Sequence, residues 1–581
     1  MKNKKNILIV LLFLSLIAIM SINTATAKTI SINDASSYNQ TGLSLSKQIQ
    51  KIIDTATAGD TIKFLGSFYE DLTLTINKKL NIISNSGTII SGSDSSSLKT
   101  IFFINGSSAS GTTISGFNLD NEDGNGITLN NTKNIKASKN NITAKDSGVS
   151  VSKSSNITIN NNNITKSDEG ISLKDSNNIY VENNKLDNNN EGISLDSTNN
   201  VDIKSNNITN NKNGISLKST KKTNIINNKV YNNKKSGIYS YKTQYTQIKY
   251  NNIKNNEETG ILAEGILTNL NLTHNNISYN HYGIRLDSID NSYVTMKTNS
   301  IRYNVEGISF GPNYIDNKAK DISSNDISSN TGKDVELRDS SYYDTLEIGP
   351  NWYGGANADY LANICPKLKS GMIQFKLKSG GNGVYMGVFT YNGQTMTDLP
   401  PIDVLFIVNG EKIWVTTVNG VATVNFGKNF DKNQAGGILN AIAGVERFQL
   451  GITYTENINN NNNGKTPVNG GTGNPGNGGL GGLGIGGNGL GTIGIGTGSP
   501  GGSNPSSNQL SEGASSSSGS SSAAQSSTQQ AKVINIDDGE NLFKIEDSQA
   551  LGILIIGLLL GSIIVGYMLR RDKKPHFKVE K

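Results

Sequence analysis

The chain has 581 residues, 35% of them hydrophobic, a formal charge of +6 at pH 7 and one cysteine, Cys365. That length calls for several regions rather than one domain, and a lone cysteine excludes a disulfide framework. A small positive charge on so long a chain gives no electrostatic case for a nucleic-acid partner.

Residues 1–27 read as a secretory signal. Lys2, Lys4 and Lys5 precede an apolar run from Ile7 to Met20, and Ala25 and Ala27 stand at cleavage spacing. The mature chain then begins near Lys28. Residues 28–109 are predicted to hold an N-terminal cap and the first coils of a stack. Ile49 to Ala58 has helical spacing, and a short helix there covers the open end of the first coil. Thr61–Phe64, Leu72–Thr75, Leu80–Ile83 and Ile101–Ile104 read as strands.

Between 110 and 335 the chain repeats one phrase. Gly126 is followed by Ile127 and Leu129, and Gly148, Gly170, Gly192, Gly214, Gly237, Gly260, Gly283 and Gly307 recur every 22 to 24 residues, each followed by Ile or Val. Such a period marks a unit stacked on copies of itself, since each exposes an apolar face that its neighbours cover. A second phrase, as in Ile157-Thr158-Ile159 followed by Asn162 and Ile164, alternates with period two. The predicted fold class is therefore all-β, a right-handed parallel β-helix of roughly a dozen coils, which at about 4.8 Å per coil makes a rod on the order of 55 Å.

Asn140, Asn162, Asn184, Asn206, Asn228, Asn251, Asn275, Asn299 and Asn325 each precede an apolar residue by two positions. Placed inward at one turn of successive coils, their amides can satisfy one another where a lone buried amide would cost a few kcal/mol. The alternative is that Asn merely suits a left-handed turn. Asn189 is expected to lie in a turn outside this ladder.

Residues 336–365 are predicted to cap the stack, with Asn351-Trp352-Tyr353-Gly354-Gly355 supplying bulky aromatics as a lid. From 366 to 455, Met372–Phe375, Val384–Met386, Val404–Ile407, Ile413–Val415 and Val421–Val424 alternate with turns such as Asn419-Gly420, which suggests a small Ig-like β-sandwich. Residues 456–548 form a Gly/Asn/Ser-rich linker with almost nothing to bury. Residues 549–569 then read as one transmembrane helix, since Ala550 to Leu569 carries no charge, and Arg570, Arg571, Lys573 and Lys574 place the tail 570–581 in the cytoplasm. The expected localisation is the cell membrane and cell surface, single-pass, with the stack outside; an exported chain of this kind argues further against nucleic acid.

With its Gly-Ile-x-Leu coils, Asn351 to Gly354 and the Ala550 to Arg571 anchor, the chain resembles the adhesin-like surface proteins of methanogenic archaea. That resemblance implies β-helix repeats, an aromatic motif behind them, Ig-like modules and an anchor. The repeats are also similar to the carbohydrate-binding and sugar-hydrolase β-helix family that includes copper-associated periplasmic proteins.

Residues between the inward ones of a coil point outward, and Thr128, Ser150, Ser172, Ser194, Ser216, Tyr239, Leu262, Arg285 and Ser309 form such a series. Its serines read as solvated surface. Asp146, Asp168, Glu169 and Glu191 gather before the repeat glycine, and carboxylates about 5 Å apart suit glycosidase chemistry or Ca²⁺, unless they are simply solvated turns. No other cofactor is expected. Tyrosines crowd the later coils, where Tyr239, Tyr241, Arg285 and Asp287 are the candidate ligand-binding residues and Glu264, His281 and Glu306 lie near in register. Aromatic cover of a strand surface is the competing reading. His274, His281 and His576 with seven scattered Met offer copper no cluster of soft ligands. The function read from these features is a membrane-anchored adhesin-like protein that binds carbohydrate, cell wall or another cell and is not an enzyme. A β-helix polysaccharide lyase or glycoside hydrolase is one rival, and a passive envelope component the other.

Overall fold

The computed structural model describes residues 26–451 except 40–41, 86, 93–96, 288–292, 312–319, 339–347, 355–370, 382, 409, 427–437 and 445. The linker, the Ala550–Leu569 stretch, the basic tail, most of the signal and Cys365 lie outside the described residues. No helix among the described residues is long and apolar enough to cross a membrane. All described residues belong to one compact unit, Met1–Gly464.

Three parallel sheets build the stack. Face A has 13 strands from Thr29–Ile32 to Lys320–Ser323, face B has 11 from Phe68–Leu72 to Ser300–Arg302, and face C has 12 from Leu74–Ile76 to Val335–Leu337. Each coil contributes one strand to each face, as Ser155–Asn160, Asn163–Thr165 and Glu169–Lys174 do. Register is kept residue for residue: Ile157 pairs with Ile179 on face A, Ile164 with Leu186 on face B, and Ile171 with Ile193 on face C. Because alternate residues face inward, the isoleucines, leucines and valines of every coil meet in one continuous core running from Ile32 to Tyr353. Each such side chain contributes roughly 1.5–3 kcal/mol by leaving water.

Helix α1, Leu45–Thr55, closes the first coil with Ile49 and Ile53. It starts earlier than the apolar spacing indicates because Ser44 caps it, its side chain accepting from the Lys47 N–H at 3.4 Å. It stops where Ala56 turns extended.

The corner between faces A and B carries the ladder from Asn140 to Asn325. Asn206 shows the unit: its backbone N–H and Nδ2 both donate to Asn228 Oδ1 at 2.9 and 3.0 Å, Nδ2 also donates to the Val181 carbonyl at 2.9 Å, and Oδ1 accepts the same pair of bonds from Asn184. All four bonds of a buried amide are thus made. The left-handed turn residue is not the ladder Asn but its predecessor, as in Asn161, Asn183 and Asn227. The ladder extends one rung beyond Asn325, to Asn351.

A second ladder occupies the corner between faces B and C, and Asn189, which lies outside the first ladder, is a member of it. Asn189, Asn211, Asn233, Asn256, Asn280, Asn304 and Asn330 stack in the same way; Asn189 is 5% exposed and donates through N–H and Nδ2 to Asn211 Oδ1 at 2.9 and 3.0 Å. At the third corner, between faces C and A, buried hydroxyls do similar duty: Thr132 N–H donates to Ser154 Oγ and Ser154 N–H to Ser176 Oγ, both at 3.1 Å.

The second ladder ends on a carboxyl. Asn330 Nδ2 donates to Asp334 Oδ1 at 2.8 Å, and burial pushes the Asp334 carboxyl up to about 7. A raised acid pKa means that the folded state holds the proton more tightly than the unfolded chain. Its stabilising share is therefore full below the ordinary carboxylate value and is lost as pH rises from about 4 to about 7. Asp334→Asn should raise the unfolding free energy by about 2–4 kcal/mol at pH 7.5 and by only about 1 kcal/mol at pH 4.5. Equal differences at both pH values in denaturant melts would sink this account.

Asn351-Trp352-Tyr353 does not act as a single lid. Tyr353 completes the core of the stack, while Trp352, 1% exposed, belongs to the core of the following domain and meets Phe389 edge-on at 4.9 Å. The two consecutive aromatics thus enter different cores, so the pair fastens the stack to the domain that follows. Gly355, read as the end of this motif, lies outside the described residues. The following domain consists of two four-stranded antiparallel sheets. One holds Gln374–Gly381, Val384–Tyr391, Gln394–Thr395 and Val421–Asn425, the other Asp403–Val408, Glu411–Thr416, Ile438–Ala443 and Glu446–Gly451. Phe375, Phe389 and Phe406 fill the core between them.

Candidate functional site

Face C carries the outward series in register. Ser150, Ser172, Ser194, Ser216, Tyr239, Leu262, Arg285 and Ser309 are successive partners along its strands. Ser172, Ser194 and Ser216 line a groove of about 480 Å³ rather than plain solvated surface. Glu169 and Glu191 stand on one side of this column, Lys174, Asp196 and Lys218 on the other, and Tyr239 lines one end. The basic and acidic wall was not read from the sequence, although it falls at a constant offset, two positions after each serine.

Tyr239 is the side chain with the clearest chemistry here. Its Oη donates to Glu264 Oε2 at 3.0 Å, and burial together with that carboxylate pushes the phenol up to about 12. The hydroxyl therefore stays protonated at neutral pH, leaving a fixed flat ring at the groove. Tyr241 is half-buried one column away, with the Lys242 ammonium 5.0 Å from its ring centre.

Arg285 and Asp287 hold each other. Arg285 Nε and Nη2 lie 2.8 and 2.7 Å from Asp287 Oδ2, and the guanidinium sits 5.4 Å from the Tyr282 ring centre. A second guanidinium, Arg338, also bonds to Asp287 and donates to Ser309 Oγ at 3.0 Å. Asp287 is thus saturated from two sides, a structural knot more than a ligand site. Glu264 is engaged by Tyr239, and Glu306 accepts from the Lys333 N–H at 2.9 Å, its pKa raised by burial. His281 rests edge-on against Tyr282 at 4.6 Å. The mixed patch expected from register is therefore a set of local pairs.

Nor do the tyrosines make one face. Tyr239, Tyr241 and Tyr282 are on face C, Tyr231 on face B, Tyr245 on face A, and Tyr250, Tyr279 and Tyr303 at corners. Three of the four acidic turn residues, Asp168, Glu169 and Glu191, line the face C groove, where Asp168 Oδ1 accepts from Asn190 Nδ2 at 2.9 Å and Glu169 pairs in register with Glu191, while Asp146 is exposed and outside it. Among the described residues no three or more His, Cys, Asp or Glu form a group that could hold a metal ion.

Residues 104–269 match the model of the periplasmic copper-binding protein family NosD, and residues 213–357 match the model of the right handed beta helix region. The stack is accordingly a right-handed parallel β-helix. No curated protein matches the chain. Among solved structures, the A-module of the Azotobacter vinelandii mannuronan C-5 epimerase AlgE6 is 16% identical, covering 53% of this chain and 95% of that one with a TM-score of 0.46. PfbA, a surface adhesin of Streptococcus pneumoniae, is 12% identical, covering 64% and 99% with a TM-score of 0.41. The family 28 exopolygalacturonase of Yersinia enterocolitica is 10% identical, covering 54% and 76% with a TM-score of 0.37. Likeness of this degree says nothing of activity.

Proposed function

We propose that this chain is an adhesin-like surface protein that binds carbohydrate without turning it over, with the β-helix and an Ig-like sandwich held outside the cell. The observation that carries the reading is the face C groove, whose hydroxyls, carboxylates and ammonium groups run alongside one another up to the flat ring of Tyr239. A sugar presents an apolar ring face and a rim of hydroxyls, and that mixture suits it. The resemblance to the surface proteins of methanogenic archaea supports the same assignment. The copper binding in the NosD family's name is not carried over: His274 lies tilted against Tyr250 at 4.7 Å and His281 edge-on to Tyr282, each on a different part of the stack.

If the groove binds sugar, Tyr239→Ala with Tyr241→Ala should cut retention of the full chain on immobilised polysaccharides about tenfold or more without lowering its melting temperature. Unchanged retention would move the site elsewhere. Anchoring rests on the uncharged Ala550–Leu569 stretch and the basic residues after it. Protease added to intact cells should therefore cut between Asn457 and Ala531 and release a resistant fragment, while the tail after Arg570 stays protected. A tail cleaved on intact cells contradicts that arrangement. A lyase or hydrolase is the second reading, and the register pairing of Glu169 with Glu191 is what favours it.

A further inference from the structure

A second cavity, of about 520 Å³, lies where the last coils meet the sandwich. From the stack it is lined by Arg302, Tyr303, Ser328 and Ser329, from the sandwich by Ile402, Asp403, Trp414 and Ile442, and from the joint between them by Trp352. The sandwich is held there by Asp398, whose backbone carbonyl accepts from Thr298 Oγ1 at 2.8 Å and whose carboxylate accepts from Ser324 Oγ at 2.7 Å.

Three observations mark this cavity as more than a gap between domains. First, its aromatic side chains are costly where they stand. Trp414 is 66% exposed, and Tyr303 is 46% exposed at φ 60, a left-handed position that the equivalent turns of earlier coils give to Asn188, Asn210 and Asn232. A bulky residue there costs roughly 1–2 kcal/mol, and Tyr279, its neighbour one coil earlier, repeats the choice at φ 58. The two rings stack at 5.4 Å, with the Arg302 guanidinium 5.6 Å from the centre of Tyr303. Second, Trp352, only 1% exposed, lines the cavity, and its indole N–H has no hydrogen-bond acceptor in the protein. Third, beneath Arg302 the carboxylate of Asp326, 0% exposed, accepts from Ser328 Oγ at 2.5 Å through Oδ1, while Oδ2 receives no hydrogen bond and lies 3.4 Å from Arg302 Nε. The Trp352 N–H, buried and unmatched by the protein, points to a partner from outside it, while the ion pair with Asp326 fixes the Arg302 guanidinium at the cavity wall.

We infer that this junction is a saccharide-binding site, distinct from the face C groove and independent of it, in which Trp414 and Tyr303 flank a pyranose ring while Arg302, Asp403, Ser329 and the Trp352 indole take its hydroxyls. The volume falls within the range of small-molecule sites. Flat apolar walls combined with donors and acceptors in the same ring of residues suit a sugar, which has an apolar C–H face and an edge that both donates and accepts. A peptide strand added to Glu411–Thr416, an edge strand among the described residues, would use the backbone of that strand and would leave Arg302 and Trp352 unused.

The chain has only two tryptophans, Trp352 and Trp414, and both line this cavity, so tryptophan fluorescence reports on it alone. The full chain is titrated with linear hexasaccharides of glucose, N-acetylglucosamine, xylose, mannose and galacturonic acid, followed by emission and by acrylamide quenching. At least one is expected to change emission saturably and to shield Trp414 from acrylamide. Tyr303→Ala should weaken that response about tenfold, and Tyr239→Ala with Tyr241→Ala should leave it intact; a folded Tyr303→Asn, which restores the turn residue of earlier coils, should behave like Tyr303→Ala. No response from any of the five sugars at millimolar concentration, a response unaltered in both Tyr303 variants, or a response to an extended peptide in place of sugar overturns the inference. Retention lost in the Tyr239 and Tyr241 variant while the fluorescence response persists would separate the two sites.

Discussion

Gly214→Ala is expected to be among the most damaging single-atom changes in the chain. A Cβ built on Gly214 would lie 2.4 Å from the Gly237 carbonyl oxygen and 2.8 Å from Val230 Cγ1. Neither neighbour can yield cheaply: the carbonyl belongs to the next strand of face C, and the valine is packed in the core with no exposed surface. The other glycines of the series meet the same kind of obstacle, as Gly192 does with the Gly214 carbonyl at 2.5 Å. The repeated glycine therefore records close approach of coil to coil beside the second Asn ladder, not a need for unusual backbone angles. The expected loss is about 2–4 kcal/mol, against a few tenths for Ser194→Ala on the outward face. Denaturant melts check it, and equal midpoints for the two variants would show that the coils are looser than the packing implies.

The second large effect is expected at the ladders, and it should be alike in both. Asn206→Ala takes the acceptor from the N–H and Nδ2 of Asn184 and the donor from the Val181 carbonyl. Asn211→Ala does the same to Asn189 and the Leu186 carbonyl. Each leaves buried polar groups unmatched, at a cost of about 3 kcal/mol. Asn199→Ala, exposed on face A, should cost little. If Asn211→Ala resembles Asn199→Ala in thermal or denaturant melts, the second ladder does not hold the stack.

Much of this architecture was legible because stacking forces each coil to repeat the side chains that meet its neighbours. The glycine period and the alternation of Ile157 and Ile159 place the strands, and the Asn that precedes an apolar residue by two marks the first corner. The second ladder escaped the same logic although each member follows a first-ladder Asn by five residues, from Asn184 and Asn189 to Asn325 and Asn330. An apolar residue two positions on marks only the first corner, whereas the signal common to both corners is the fixed spacing between them. Trp352 and Tyr353 could not be parted by sequence alone, because the partner that claims Trp352, Phe389, lies in another domain. The tyrosines misled for a related reason. Count and proximity along the chain suggest a face, but a residue at a corner such as Tyr279 and one mid-strand such as Tyr239 diverge around the triangular section. Junction residues such as Trp414 carry no repeat signal, and only the packing of the sandwich against the stack brings them beside Arg302 and Tyr303.

The central claim is binding without turnover, and one experiment addresses it directly. The full chain is incubated with a panel of polysaccharides while retained protein and released reducing ends, unsaturated sugars and changes in sugar configuration are followed together. The account predicts saturable retention on at least one polysaccharide, lost in the Tyr239 and Tyr241 double variant, with every polymer recovered chemically unchanged. Any product that appears with the wild-type chain and disappears with Glu169→Gln or Asp168→Asn would contradict it and make the face C groove a catalytic one.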